Sequence, residues 1–249
     1  KGEQDMRKTH RKIVSGALLC GCALFTLYGA SRIAERAENG ALPTAMTDLD
    51  NEKPVIIIDA GHGGIDGGCT SAEGVPEKGI NLDILLRLRD LLEINGYEVK
   101  VTRDTDRSIH DEGIVGIAEQ KSSDMDNRLA IFNETDNALC LSIHQNQFTD
   151  AKYSGAQMFY SNSNKNSEAL ARALQNRFRE LLQPDNNREI KLCGKELFLC
   201  YYSENPTVMA ECGFLSNPEE AAMLCTEDYR EKVAFTLYTG ISDFVNRKK

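Results

Sequence analysis

The sequence predicts a single α/β domain, with a mostly parallel twisted sheet flanked by helices, preceded by an N-terminal membrane helix. Three observations carry that expectation. Short apolar runs of strand length alternate with amphipathic segments of helix length from residue 55 onward, the pattern of strands joined by crossover helices. The chain has 249 residues with no internal repeat or low-complexity tract, enough for one domain with a real core and a short extension. Residues 13–30, IVSGALLCGCALFTLYGA, hold no charge, and as a helix they would span about 27 Å, close to the hydrocarbon thickness of a bilayer.

In chain order, residues 1–12 form a basic flank (MRKTHRK) that belongs on the cytoplasmic side of the 13–30 anchor. A retained anchor is favoured over a cleaved signal. Tyr28-Gly29-Ala30 is a poor small-x-small cleavage site, and apolar residues continue past the weak lipobox Leu19-Cys20-Gly21-Cys22. The expected location is therefore the cell membrane, single-pass, with the body extracytoplasmic, or secreted if the segment is cut. Residues 31–53 read as a linker and residues 54–249 as the folded body.

Within the body, VIIID (55–59) is a short buried strand and GHGGIDGG (61–68) a loop. Residues 81–97 repeat apolar positions at 84/85, 88 and 91/92 and stop at Asn95-Gly96, which predicts an amphipathic helix. EVKVTR (98–103) alternates as a strand, residues 104–123 form a long polar loop, residues 125–135 are helical, and NALCLSIH (137–144) is a second buried strand. AQMFYS (156–161) reads as a strand, and residues 167–182 as a helix with Leu170, Leu174, Phe178 and Leu181 on one face. Two strand-like runs follow, ELFLCYY (196–202) and TVMAEC (207–212). Ser216-x-x-Glu219 is a capping-box pattern, and residues 228–246 form a closing helix.

Net charge is −9, and residues 51–249 alone carry 22 basic against 32 acidic groups. A body that acidic argues against nucleic acid as a partner, since phosphates need Lys and Arg. The body cysteines are Cys69, Cys140, Cys193, Cys200, Cys212 and Cys225. None forms a C-x-x-C pair, and buried thiols are favoured over disulfides or a thiolate metal site. Phosphate-loop, dinucleotide and serine-hydrolase motifs are absent.

His10 and His110 sit among charges and read as solvated, whereas His62 and His144 each follow a buried strand. Parallel strands bring such residues to the carboxyl edge of the sheet, where α/β proteins bind ligands. Glu77 lies between the first strand and the first helix, and Glu211 ends a third strand. Two imidazoles and one carboxylate make a zinc shell with a position open for water, and a second carboxylate can move protons. On spacing alone the plainer reading, two hydrogen-bonded histidines closing strands, stays open. Asp59 and Asp66 are candidates for orienting the histidines, with plain strand-end polarity an equal reading for Asp59.

The segments IIIDAGHGGIDGG, GVPEKGINLDI, RLAIFN, LSIHQN and AECGFLSN, in that order, resemble the zinc-dependent N-acetylmuramoyl-L-alanine amidases of the Amidase_3 catalytic family. The resemblance runs from about residue 55 to 244. It implies that zinc is held by His62, Glu77 and His144, that Glu211 is catalytic, and that the substrate is peptidoglycan, cut between N-acetylmuramic acid and L-alanine. Ala60 stands where the family usually has proline. Gln145 and Gln147 replace smaller residues, so the groove is expected to differ in shape, and Arg128 and Asn133 are expected to brace their helix. The HQN variant and the anchor resemble the spore-cortex, germination-specific subfamily. A zinc peptidase cutting within the stem peptide and a non-catalytic wall-binding module are the rivals. The need for an activating protein partner stays open.

Overall fold

The computed structural model describes residues 53–247. The basic flank, the anchor and all but the last residue of the linker lie outside the described residues. No helix among the described residues is long and apolar enough to cross a membrane.

The body is a six-stranded sheet between two helical layers. The strands are β1 (Val55–Ala60), β2 (Val99–Val101), β3 (Ala138–Asn146), β4 (Gln157–Tyr160), β5 (Lys191–Leu192) and β6 (Thr207–Phe214). The helices are α1 (Glu77–Ile94), α2 (Ile117–Asn133), α3 (Asn166–Leu181), α4 (Phe198–Tyr202), α5 (Pro218–Leu224) and α6 (Glu227–Asn246). The strand order is β2-β1-β3-β6-β4-β5. The first four strands in that order are parallel, and β4 pairs antiparallel with β6 and parallel with β5.

The apolar runs of β1 and β3 are continuous because both faces of the sheet are covered, as expected for parallel strands. Ile56 and Ile58 face one side with Leu139, Leu141 and Val208, packed against α1, α3 and α6. Ile57 faces the other side with Ala138 and Cys140, under Phe132 of α2 and Leu199 of α4. Register carries this alternation to the carboxyl edge. Asp59 pairs with Ser142, Ser142 with Met209, and His144 with Glu211, so these side chains form two rungs on the α2/α4 face.

Several sequence expectations are corrected. Residues 198–202 are a short helix, so Cys200 is buried in α4 and not in a strand. A short apolar run bounded by polar residues has no periodicity to separate the two forms. Helix α1 starts at Glu77, four residues early, so Glu77 lies on a helical turn and not in a loop. Helix α2 starts at Ile117 and takes up part of the expected 104–123 loop. The cap of α5 is Asn217, which accepts from the backbone N–H groups of Glu219 and Glu220, while Ser216 Oγ accepts from Phe148 N–H. Leu181 is 49% exposed, and the core face of α3 ends at the fully buried Phe178. All six body cysteines are free thiols.

Candidate active site

Three sheet strands and one helix terminus meet at the site. After Ala60 the chain leaves β1 through Gly61, and His62 takes φ +65°, a left-handed conformation seldom adopted by a residue with a side chain. Two buried arginines hold it there. Arg128 donates to the carbonyls of Ala60 (2.8 Å) and His62 (2.8 Å), and Arg103 donates to those of Ala60 (2.9 Å) and Gly61 (3.1 Å). Gly61 is required for space, since a Cβ there would stand 2.2 Å from the His144 ring. Gly68 is required twice over: its φ is +70°, and a Cβ would meet Glu77 Oε2 at 2.5 Å.

The loop returns His62 to face Glu77 and His144. His62 Nε2 lies 3.3 Å from Glu77 Oε2, and His144 Nδ1 lies 3.0 Å from Glu77 Oε1. The two rings meet edge-on with centroids 5.0 Å apart. One ligand atom from each of His62, Glu77 and His144 falls within 4.8 Å of the others, so the three can share one metal ion. Two imidazoles and a carboxylate, with thiolates absent from the set, is a donor combination that suits zinc. Asp66 accepts from His62 Nδ1 (2.9 Å) and is itself held by Lys121 (2.9 Å), leaving His62 Nε2 aimed into the cluster.

Charge follows this geometry. Burial pulls His62 down, but its hydrogen bond to Glu77, the Glu77 charge and Asp66 outweigh that and lift it to about 9. His144 is raised on the same balance of burial against Glu77. Burial works against the ionised Glu77 too, yet hydrogen bonds from His144 and His62 and their charges keep it far below the usual carboxylate range.

Glu211 is different. It stands beside His144 in the sheet register, and its Oε2 is buried with no hydrogen-bond partner. Burial drives it up to about 7, the His144 charge pulling down and the Glu77 charge pushing up. A cleft of about 400 Å³ opens over it on the α2/α4 face, bounded by Ile65, Gln120 and Lys121 on one wall and Leu197 and Phe198 on the other.

All four expected residues thus converge, and among the described residues His110 stands apart from them. His110 bonds Ser108 Oγ in a loop, and His10 lies outside the described residues. Asp66 meets the expectation of a carboxylate orienting a histidine, whereas Asp59 does not. Asp59 accepts from Ser142 (2.6 Å), Thr102 (2.7 Å) and Arg128 (2.5 Å), and burial opposes the ionised form less than these partners favour it. Arg128 braces the His62 loop as well as its own helix, and Asn133 ties α2 to Glu204 N–H. Gln145 is buried and turned away from the groove, so it does not shape that surface. Arg103 lies in none of the quoted motifs, although its place at the end of a strand pointed to the same edge, and Asn81 lies in GVPEKGINLDI, where it was not singled out.

Residues 56–243 match the family described as N-acetylmuramoyl-L-alanine amidase, Amidase_3. The chain belongs to that family. It is an N-acetylmuramoyl-L-alanine amidase, a hydrolase that cuts peptidoglycan between N-acetylmuramic acid and L-alanine. It is 34% identical over 194 residues to the germination-specific N-acetylmuramoyl-L-alanine amidase of Bacillus subtilis, covering 78% of this chain and 81% of that one. Among solved structures, the CwlD amidase of Clostridioides difficile, in complex with the GerS lipoprotein, superposes with a TM-score of 0.75 at 37% identity over 78% of this chain and 99% of that chain. The amidase AmiA of Escherichia coli is 26% identical, with 91% of this chain and 90% of that one covered. This membership decides for an amidase over a stem-peptide peptidase or a wall-binding module.

Proposed function

We propose that the enzyme is zinc-dependent, with His62, Glu77 and His144 as the ligands and Glu211 as the general acid–base. The observation that carries this reading is the contrast between two carboxylates in one site. Glu77 is wrapped by donors on both oxygens, while Glu211 keeps a buried oxygen with no partner and lifts to about 7. Zinc supplies a Lewis acid that acidifies water and polarises a carbonyl. Glu211 Oε2 is the free acceptor that takes a proton from the attacking water. Water oxygen bonds the lactyl carbonyl carbon, the carbon–nitrogen bond breaks, and Glu211 returns the proton to the departing L-alanine nitrogen. The products are a lactyl carboxylate and a stem peptide with a free amino terminus. Asp66 keeps the His62 ring in one orientation throughout, and Arg128 and Arg103 keep its backbone from relaxing.

The HQN motif and the germination-specific relative of Bacillus subtilis support spore cortex as the wall that is cut. In a spore-forming host, loss of the protein should leave cortex without muramic δ-lactam and spores that germinate poorly; normal cortex with chained vegetative cells would point to a separation role. The complex of the Clostridioides difficile amidase with a lipoprotein supports a lipoprotein partner here. The uncharged 13–30 run supports an extracytoplasmic body on an N-terminal anchor, and protease added outside intact cells should then reach the body but spare the basic end.

The decisive assay is digestion of purified peptidoglycan with zinc-loaded protein, with product masses read against a metal-stripped control. Intact stems with free L-alanine termini are expected only with the loaded enzyme. His62→Ala and His144→Ala should each lose most of about one zinc per chain, and full retention in both would refute the ligand assignment.

A further inference from the structure

Glu77 Oε1 accepts three hydrogen bonds: from His144 Nδ1, from Gln145 backbone N–H (2.9 Å) and from Asn81 Nδ2 (3.1 Å). The last has an unusual setting. The Asn81 amide is fully buried one turn along α1, and the same Nδ2 also donates to Gly61 O (3.2 Å). One carboxamide therefore ties the Glu77 carboxylate to the strand exit that delivers His62. Both of its partners there are acceptors only, so the NH2 group must face them and Oδ1 must face away. Facing away, Oδ1 meets Gln145 Nε2 at 3.1 Å.

That orientation has a cost, and the structure shows where it falls. To present Nε2 to Asn81, Gln145 leaves its own Oε1 buried without a hydrogen-bond partner. Flipping the Gln145 amide would serve Oε1 no better, because it would set two carbonyl oxygens against each other at Asn81. Among the described residues, Gln145 Oε1 and Glu211 Oε2 are the two buried side-chain atoms left without partners, and both belong to this site. A buried polar group kept unsatisfied asks for a functional account.

We infer that Gln145 and Asn81 are positioning residues for the metal centre: Gln145 locks the Asn81 carboxamide in the one orientation that donates to Glu77 and to the His62 loop. The inference rests on the zinc reading above. It makes the glutamine of LSIHQN a component of the centre acting through Asn81, on the side away from the groove.

Gln145→Met tests it. Methionine matches glutamine in length and volume, removes the donor to Asn81, and also removes the unpartnered oxygen. Zinc affinity by competition with a chelating dye should fall about 10–100-fold, the usual effect of losing a group that orients a ligand. The melting temperature of the metal-free variant should be no lower than that of the wild type. A residue that mattered only for folding would move the two readouts together. Asn81→Ala should weaken zinc at least as much, and the double variant should bind no more weakly than Asn81→Ala alone, because the Gln145 side chain acts on the centre through its hydrogen bond to Asn81. Zinc affinity of Gln145→Met within about threefold of wild type, or full additivity in the double variant, overturns the inference while leaving the zinc reading intact. Failure of the wild-type protein to bind zinc overturns both.

Discussion

Glu211→Gln should make the enzyme nearly inactive and, without metal, more stable. The activity loss follows from its role as proton carrier and should be on the order of 10²–10⁴ in rate, the usual contribution of a general acid–base. The stability gain follows from burial. The Glu211 carboxyl is raised from 4.5 to about 7 in the folded protein. For a group raised on folding, the favourable contribution is complete below 4.5 and is lost as pH rises through 7. Holding the ionised form at pH 8 therefore costs the fold about 3 kcal/mol relative to a neutral side chain, falling to about 1 kcal/mol or less at pH 5. Glutamine removes the ionisation and most of that cost. For a body of this size about 3 kcal/mol corresponds to roughly 6–12 °C in Tm. Metal-free wild type and Glu211→Gln should be melted at pH 8 and pH 5, and the same preparations assayed on peptidoglycan after zinc loading. The variant should melt higher at pH 8, the gap should close toward pH 5, and zinc content should match the wild type. Identical melting at both pH values would refute the burial argument, and retained activity would refute the proton-transfer role.

The other carboxylate should behave in the opposite way: Glu77→Gln should weaken zinc binding, and excess zinc should restore part of its activity, whereas added zinc should do nothing for Glu211→Gln. Gly61→Ala places a methyl 2.2 Å from the His144 ring, so the ring must move; zinc affinity should drop while circular dichroism stays native. Arg128→Met leaves Asp59 buried without its cation and the His62 carbonyl without its donor. Breaking a buried pair of this kind costs about 3–5 kcal/mol, read as a lowered Tm at pH 7. Asp59 sits below its ordinary 3.8, so the pair is in full force above about pH 4 and lost as pH falls. The difference between wild type and Arg128→Met should accordingly narrow in acid.

Much of the site was readable from residue order because parallel strands impose a simple rule. A residue that follows a buried apolar run arrives at the carboxyl edge, and His62, His144 and Glu211 each do so. Glu77 was legible as a candidate ligand but not as the first residue of α1, because a proline-led helix start with no side-chain cap leaves little local signature. The five-residue α4 was missed for a related reason: it is too short for a 3.6-residue period to show. Lys191–Leu192 is a two-residue exposed strand at the sheet edge, and no pattern of that length is diagnostic.

The linear sequence alone determined the apolar runs that become the strands and helices, and with them the layered α/β fold. It also determined the chemical kinds needed for hydrolysis: two imidazoles and two carboxylates, each next to a strand or helix end. The role of each polar group was decided by tertiary structure, because hydrogen bonds between residues far apart in the chain have no periodicity and leave no local trace. Asp59 became the anchor of Arg128 because α2 crosses the sheet 69 positions later, while Asp66 became the partner of His62 because the glycine loop folds back on itself. Gln145, which the sequence placed in the groove, turned inward because its position in β3 faces α1, where Asn81 offers the oxygen its amide needs.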